Sequence, residues 1–295
     1  MLSRPRVLER SFLPVAFLGA GSMAQALIQG LIQGGLASPA HIRVNNKSDR
    51  HRLESVARAH GVQAHADKRS ALAGARTVIV ATKPKDVAEC LAQARVALEW
   101  LDRSGPDART KVLRVTHPLF ISVAAGVSTR ALEDLLPEGT PVVRAMPNTS
   151  SSVGESATAV AAGRFATAGH MAFAGRMFGA VGMVTELDER MMDVITGLSG
   201  SGPAYVYLML EAMTEAGARL GLDREVAYRL ALQTVRGAAL TAQATGEDPA
   251  ELRRRVTSPG GTTMAGLAAL EEAGFKQGLI EAVRRAAERA AELGK

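Results

Sequence analysis

The sequence predicts an α/β protein: an N-terminal Rossmann-type dinucleotide-binding domain followed by an all-α C-terminal domain. Three observations carry this. A short apolar run, Val15 to Leu18, leads directly into G-A-G-S-M-A, Gly19 to Ala24, and then into a helical pattern. That is the strand, glycine turn, helix order of a nucleotide-binding unit. Further short apolar runs separated by helical stretches recur up to Leu187, as in a sheet built from βαβ units. From Asp188 onward only helical periodicity remains. The 295 residues suffice for two domains of ordinary size. The boundaries read as a flexible extension over 1–14, the nucleotide-binding domain over 15–187 and the helical domain over 188–295.

Within the first half, each element has its own signal. Gly19 allows the tight turn, and Gly21 lets a pyrophosphate lie against backbone N–H groups at the helix start. Ala20, Ser22 and Met23 complete that turn, and Ala24 stands at the third glycine position. The following helix places Met23, Ala26, Leu27, Gly30 and Leu31 on one face and ends near Gly34 and Gly35. A second strand, Ile42 to Asn45, follows at βαβ distance. NAD-binding units place an acid at the end of this strand to hold the ribose hydroxyls. Here the chain reads Asn45-Asn46-Lys47-Ser48, groups that suit a phosphate, with Asp49 a little further on. NADP(H) is therefore favoured, with NAD(H) as the alternative. A third strand, Thr77 to Val80, releases Ala81-Thr82-Lys83-Pro84-Lys85 toward the ligand crevice, and Pro84 starts a helix toward Leu101. Asp102 to Thr116 reads as a long polar loop. Phe120 to Ala124 and Pro141 to Ala145 are strands, ending in Ala125-Gly126 and Met146-Pro147-Asn148-Thr149. Ala157 to Ala161 and Met183 to Leu187 read as strands at the sheet edge, with a helix over Ala168 to Gly179 between them.

The second half reads as helices over Glu189 to Ile195, Ala204 to Leu220, Asp223 to Ala244, a segment after the capping-box pattern Asp248-Pro249-Ala250-Glu251, and Phe275 to Leu293. Tyr205 to Leu210 is apolar almost all round, more than so small a helical lobe can wrap, which predicts a partner chain and a homodimer. The chemistry concentrates in V-T-S-P-G-G-T-T, Val256 to Thr263. Ser258 reads as an N-cap and Pro259 as the first helical position. Gly260 and Gly261 permit close backbone approach, and Thr262 and Thr263 add two hydroxyls. An apolar helical pattern follows from Met264 to Ala273. Such a helix start holds a small carboxylate or phosphate; capping alone would use the same residue types. No Lys occurs between Lys111 and Lys276, and no His follows His170. Carbonyl reduction usually needs one of these to move a proton, so the helical half points to reduction of an imine.

Composition narrows the classes further. With 47% hydrophobic and 22% charged residues the chain is an ordinary globular protein. Only 4% of residues are aromatic, too few for a nucleic-acid stacking platform. The net charge of +6 is scattered among acids and suits an anionic cofactor and substrate; the triplet Arg253-Arg254-Arg255 reads as a solvated helix face. The single cysteine, Cys90, excludes a disulfide within the chain, and the six histidines form no ligand-spaced cluster, so no metal is expected. No apolar run reaches the roughly 18–20 residues of a membrane span. The first thirteen residues are basic without the apolar core of a secretory signal, and a cytoplasmic location is expected.

Taken together these residues resemble the pyrroline-5-carboxylate reductase family, from about Val15 to the last helix. The most specific pieces are L-S-G-S-G-P-A-Y, Leu198 to Tyr205, and V-T-S-P-G-G-T-T; G-A-G-S-M-A, K-P, A-A-G-V (Ala124 to Val127) and R-A-M-P-N-T (Arg144 to Thr149) follow the family order. The resemblance implies a Rossmann domain, a helical domain that interlocks in a dimer, and further assembly, to decamers in several members. It implies hydride transfer from NADPH or NADH to the imine carbon of 1-pyrroline-5-carboxylate, giving L-proline. By that resemblance Gly260, Gly261 and Thr262 present N–H groups to the substrate carboxylate with Ser258 close by, and Thr263 hydrogen-bonds the ring nitrogen. Gly19 to Met23 hold the pyrophosphate, Asn46, Lys47 and Ser48 the 2′-phosphate region, and Ala81, Lys83, Pro84, Ala125 and Gly126 line the ribose and nicotinamide. The chain departs from the family at Thr82 and Lys85, at Lys68 (often Asn, near the cofactor ribose), and at Ser150 and Ser156. Competing readings are a β-hydroxyacid dehydrogenase relative, whose lysine is missing from Ala204 to Leu220, an NADPH-binding sensor without turnover, and a basic nucleic-acid binder.

Overall fold

A computed structural model of the chain describes residues 10–47, 49–104 and 117–294. By backbone contacts the chain forms two compact units. One runs up to Gly200 and includes the stretch from Ala286; the other is Ser201–Arg285.

The first unit is built on an eight-stranded sheet in the order β3-β2-β1-β4-β5-β6-β7-β8. The strands are β1 (Val15–Leu18), β2 (Ile42–Asn45), β3 (Gln63–His65), β4 (Thr77–Val80), β5 (Leu119–Ser122), β6 (Val142–Met146), β7 (Ser156–Ala162) and β8 (Gly182–Glu186). The first six are parallel; β7 runs antiparallel to β6 and β8 parallel to β7. The order reverses at β1, which lies between β2 and β4, and this switch point is where such sheets open a ligand crevice. Helices α1 (Ser22–Gln33), α2 (Arg50–His60), α3 (Lys68–Leu72), α4 (Val87–Ser104), α5 (Thr129–Asp134), α6 (Ala168–Gly179) and α7 (Met192–Ile195) complete the unit.

Strand alternation sorts the core into two clusters. Val15 and Phe17 face one side with Leu27, Ile28 and Leu31 of α1 and Phe173 and Phe178 of α6. Ala16 and Leu18 face the other with Val87, Leu91 and Ala94 of α4. Each fully buried Phe or Leu here contributes about 1.5–3 kcal/mol from burial. Asp102 to Ser104 lie within α4, so the polar loop expected from Asp102 begins later; its remainder, 105–116, lies outside the described residues. Arg10–Phe12 form a 3-10 turn in which Phe12 stacks on Phe173 at 4.3 Å.

The second unit holds α8 (Gly202–Arg219), α9 (Arg224–Thr245), α10 (Pro249–Arg255) and α11 (Thr262–Glu272); α12 (Phe275–Leu293) passes from it back into the first unit. Helices α8 and α9 approach closely at Gly217, where a Cβ would stand 2.9 Å from that of Ala227. The apolar run of α8 is covered only in part: Leu210 is buried, but Tyr207 and Leu208 are 56% and 67% exposed. Among the described residues no helix is long and apolar enough to cross a membrane.

Candidate active site

The glycine turn after β1 has the geometry its sequence requires. Gly19 donates its N–H to Asn45 O at 2.8 Å, and Ala81 donates to Leu18 O at 2.9 Å, so the turn is wedged between the ends of β2 and β4. Gly19 sits at φ +117°, and a Cβ there would lie 2.5 Å from the Ala81 carbonyl oxygen. Only glycine fits. Gly21 is the N-cap of α1 and no side chain caps it. The first bond back into the helix runs from Gln25 N to Gly21 O at 3.1 Å, which leaves the amides of Ser22, Met23 and Ala24 without intrahelical acceptors. A Cβ on Gly21 would meet nothing within 4 Å. Open space beside free amides at a helix N-terminus is an anion site. The tight packing of α1 falls to Gly30, where a Cβ would overlap the Val181 side chain, in the turn between α6 and β8, at 2.2 Å.

A cleft of about 430 Å³ opens at this point. Of the residues assigned to the cofactor from the sequence, Gly19, Ala20, Gly21, Asn46, Lys47, Ala81 and Lys83 line it, together with Asn45, Thr82 and Cys90. Ser22 and Met23 begin α1, and Pro84 opens the 3-10 turn Pro84–Asp86 beside the cleft. Ser48 lies outside the described residues. Ala125 and Gly126 follow β5 but are not among the cleft-lining residues. At φ +76° Gly126 backs onto the end of α12, where a Cβ would stand 2.7 Å from Ala290 O. Asp49 also lines the cleft, and its carboxylate caps α2, accepting from Arg52 N at 2.8 Å. Asn45 donates to His65 O at 2.9 Å. The Thr82 hydroxyl is buried without a partner among the described residues, a polar group that a bound ligand would satisfy. Burial pushes the Cys90 thiol up and keeps it protonated.

Sequence reasoning passed over Arg52, Asp86 and Glu89, which also line this cleft together with Lys85 and Lys68. Glu89, in the first turn of α4, accepts from Lys47 Nζ and from Gln93 Nε2 at 3.0 Å. The Lys47 bond, with the charges of Lys47 and Lys68 behind it, holds the Glu89 carboxyl below its usual range. Their common signal was too weak to read: charged residues on amphipathic helices are usually solvated.

In the second unit the structure corrects one local assignment. Ser258 is not the cap of α11, and Pro259 is not its first residue. Ser258-Pro259-Gly260-Gly261 closes a turn, with Gly261 N donating to Ser258 O at 3.0 Å and Gly260 at φ +70°. Pro followed by a positive-φ Gly favours that turn, and it uses up the Ser258 carbonyl before the helix starts. The N-cap moves to Gly261, which carries no capping side chain. The amides at the start of α11 are thereby left free, beside the exposed Thr262 and Thr263. Asp248 caps α10 through Ala250 N at 2.7 Å, but the expected reciprocal half of the box is lost because Arg254 holds the Glu251 carboxylate. In the arginine triplet, Arg254 pairs with Glu251 and Arg255 with Glu247 and Glu251.

Two of the sequence motifs meet in the first unit. Asn148 of R-A-M-P-N-T donates to Ser199 O of L-S-G-S-G-P at 3.0 Å, and a Cβ on Gly200 would overlap Met146 at 2.5 Å. The contact is made by a π-helical turn, Thr196–Gly200, a form common at functional sites. Arg144, 3% exposed, reaches Asp193 at 2.8 Å and Glu189 at 3.4 Å, and Glu189 also accepts from Thr129 N at 2.6 Å.

Comparison with known proteins decides the family. The family model described as pyrroline-5-carboxylate reductase dimerisation matches residues 189–293, and that described as NADP oxidoreductase, coenzyme F420-dependent, matches residues 14–100. The pyrroline-5-carboxylate reductase of Methanosarcina acetivorans is 38% identical over 281 residues, covering 95% of this chain and 98% of that protein. Pyrroline-5-carboxylate reductase 1 of Bacillus spizizenii is 36% identical over 279 residues, 95% of this chain and 89% of that protein. The chain belongs to the pyrroline-5-carboxylate reductase family. Among solved structures, the pyrroline-5-carboxylate reductase from Coxiella burnetii superimposes with TM-score 0.82 at 36% identity, over 96% of this chain and 99% of that one. The Plasmodium falciparum pyrroline carboxylate reductase, with NADP bound, gives TM-score 0.82 at 25% identity, over 96% and 98%.

The reductase is an NAD(P)-dependent oxidoreductase acting on 1-pyrroline-5-carboxylate. Its fold is the expected one, a Rossmann-like sheet followed by an all-helical domain. That helical domain carries Tyr207, Leu208, Tyr228 and Leu230 exposed, and the reductase is a homo-oligomer through its dimerisation domain.

Proposed function

We propose that the reductase takes its hydride from NADPH in preference to NADH, and that the residues assigned from the sequence divide the work between its two halves. The observation that carries the cofactor preference is the end of β2, where Asn45, Asn46 and Lys47 stand and Asp49, which also lines the cleft, gives a carboxylate oxygen to its own helix cap. The NADP bound to the Plasmodium falciparum relative supports the same reading. Backbone amides from Gly19 to Met23 would hold the pyrophosphate, and Asn46, Lys47 and Ser48 the 2′-phosphate. Ala81, Lys83, Pro84, Ala125 and Gly126 would line the ribose and nicotinamide. The open space at Gly21 and the partnerless Thr82 hydroxyl support a ligand of this kind in the cleft.

Bound NAD(P)H supplies the hydride. At the substrate, the amides of Gly260 and Thr262 hold the carboxylate at an uncapped helix start whose dipole favours an anion, with Ser258 close by and Gly261, assigned the same role from the sequence, joining them only if its N–H leaves the Ser258 carbonyl. Thr263 places its hydroxyl at the ring nitrogen and fixes the ring. An imine protonated on nitrogen is already electrophilic, so the helical half needs no lysine or histidine to complete the reduction. Residues 15–187 serve the nucleotide and 188–295 serve dimerisation and substrate. The exposed apolar face of α8 supports a homodimer that assembles further, as decamers do in this family, and a cytoplasmic location suits a biosynthetic reductase.

The test is absorbance-monitored consumption of NADPH and of NADH with and without 1-pyrroline-5-carboxylate. A higher kcat/KM with NADPH supports the assignment of the β2 end. An equal or higher value with NADH refutes it.

A further inference from the structure

The sequence offers no acid at the end of β2, yet the fold delivers one from another element. Glu89 belongs to α4, 44 positions beyond Asn45 in the chain, and its carboxylate meets the Lys47 ammonium. It stands at a junction. The cleft beside the glycine turn adjoins a second groove of about 620 Å³, lined by Asp67, Lys68, Ala92, Gln93 and Val96 among others. Asn45, Lys47, Lys68 and Glu89 line both. A dinucleotide whose pyrophosphate lies on α1 would pass its adenosine ribose through this junction. The other nearby carboxylates are committed or lie to one side. Asp49 caps α2, Asp67 caps α3 through Ser70 N at 2.9 Å, and Asp86 lines only the first cleft.

We propose that Glu89 is a cofactor-discriminating residue, accepting a hydrogen bond from the adenosine ribose 2′-hydroxyl of NADH and surrendering Lys47 to the 2′-phosphate of NADPH. This rests on the reading of the cleft as the cofactor site. A ribose diol needs an acceptor, and an acid at this place is what NAD-selective units use. A phosphate needs a cation, and Lys47 is the nearest to Glu89. The Lys47–Glu89 pair has both side chains more than half exposed, so exchanging Lys47 to a new anion costs little. Once the phosphate arrives, Glu89 repels it, because like charges at hydrogen-bond range disfavour each other. Lys68, which donates to the neutral Gln93 Oε1 at 2.7 Å, remains to offset part of that repulsion. Glu89 thus supports NADH and restrains NADPH, and the chain accepts both without an acid on β2.

The experiment is equilibrium titration of the assembled enzyme with NADH and with NADPH, followed by cofactor fluorescence, for the wild type, Glu89→Ala, Glu89→Gln and Gly21→Val. Glu89→Ala should weaken NADH about fivefold or more, the loss of one charge-assisted hydrogen bond, while NADPH binds as tightly as before or tighter. Glu89→Gln keeps an acceptor without the charge. It should recover most of the NADH affinity and keep the gain in NADPH affinity. An equal shift for both cofactors, no shift, or a shift confined to NADPH in Glu89→Ala overturns the proposal. Gly21→Val is the control on the underlying reading. A Cβ there meets no protein atom within 4 Å, and the valine side chain would enter the space set aside for pyrophosphate; a circular-dichroism melt checks that the variant is folded. If Gly21→Val binds both cofactors normally, the cleft itself is misassigned. If it loses both while Glu89→Ala shows no discrimination, only the role of Glu89 fails.

Discussion

Replacing Gly19 and Gly21 by alanine, one at a time, separates the two tasks of the glycine turn. At Gly19 a methyl group meets two obstacles. The backbone at φ +117° lies where L-residues pay about 1–2 kcal/mol or more. The new Cβ would stand 2.5 Å from the Ala81 oxygen and 2.7 Å from its carbonyl carbon, both backbone atoms held against β1. Relieving that overlap spreads the ends of β1 and β4, at about 1–3 kcal/mol for an overpacked interior. The sum is about 2–5 kcal/mol, and at about 2 °C or more per kcal/mol the melting temperature falls by at least about 4 °C. Gly21 differs on both counts. Its φ of −71° and ψ of 179° suit any residue, and a Cβ there meets nothing within 4 Å. Gly21→Ala restricts the unfolded chain, worth about 0.4–1 kcal/mol, but alanine is a poorer N-cap for α1 by a similar amount, so the melting temperature should hardly change. It nevertheless crowds the approach of the pyrophosphate and should weaken both cofactors by about tenfold. Circular-dichroism melts paired with cofactor titration read both effects. A Gly19→Ala protein melting within about 1 °C of the wild type, or a Gly21→Ala protein with unchanged cofactor affinity, refutes this account.

Further outcomes follow from other parts of the structure. Thr263→Ala should lower kcat by at least about tenfold with an unchanged circular-dichroism spectrum, and Thr263→Ser should recover most of it; unchanged turnover in the alanine variant removes Thr263 from the reaction. Removing Glu189 and Asp193 together leaves Arg144 buried without a counter-charge and should cost about 3–5 kcal/mol in urea unfolding, far more than either change alone. Burial lowers the pKa of His170, whose Nδ1 accepts from Thr167 N–H at 3.0 Å, so the fold holds this ring neutral. The unfolded chain then binds the extra proton, and stability is full above the unfolded pKa of about 6.5 and declines as pH falls below it. His170→Gln keeps the cap without the titration and should flatten that decline in melts at pH 7.5 and 5.5. Leu208→Arg, on the exposed face of α8, should shift sedimentation toward the monomer; an unchanged sedimentation coefficient places the interface elsewhere.

What the sequence showed and hid follows from the range of each interaction. Buried parallel strands are short apolar runs bounded by small, polar or turn-forming residues, so β1, β2, β4, β5 and β6 were legible to within a residue or two. Strand β3 was missed because Gln63-Ala64-His65 sits at the sheet edge, with Gln63 and Ala64 exposed and no apolar alternation to see. The glycine turn was legible because its requirement is local: a positive φ and a close backbone. Ser258 misled for the converse reason, since a serine before proline serves a cap and a turn equally, and the hydrogen bond from Gly261 decides between them. Glu89 was illegible because its meaning comes from Lys47 on a different element, a pairing that no local pattern encodes.

The return of α12 to the first unit changes how the protein comes apart. Because the chain leaves that unit after Gly200 and re-enters it at Ala286, a single protease cut near Ser201 severs only one of two covalent bridges. The stretch beyond Ala286 stays seated on Gly126. The nicked fragments should therefore travel as one species through a native gel-filtration column and part only in denaturant. A gene truncated after Gly200, by contrast, yields a first unit with its own backbone exposed at Gly126, in want of the ten residues Ala286–Lys295, which can be returned to it as a peptide.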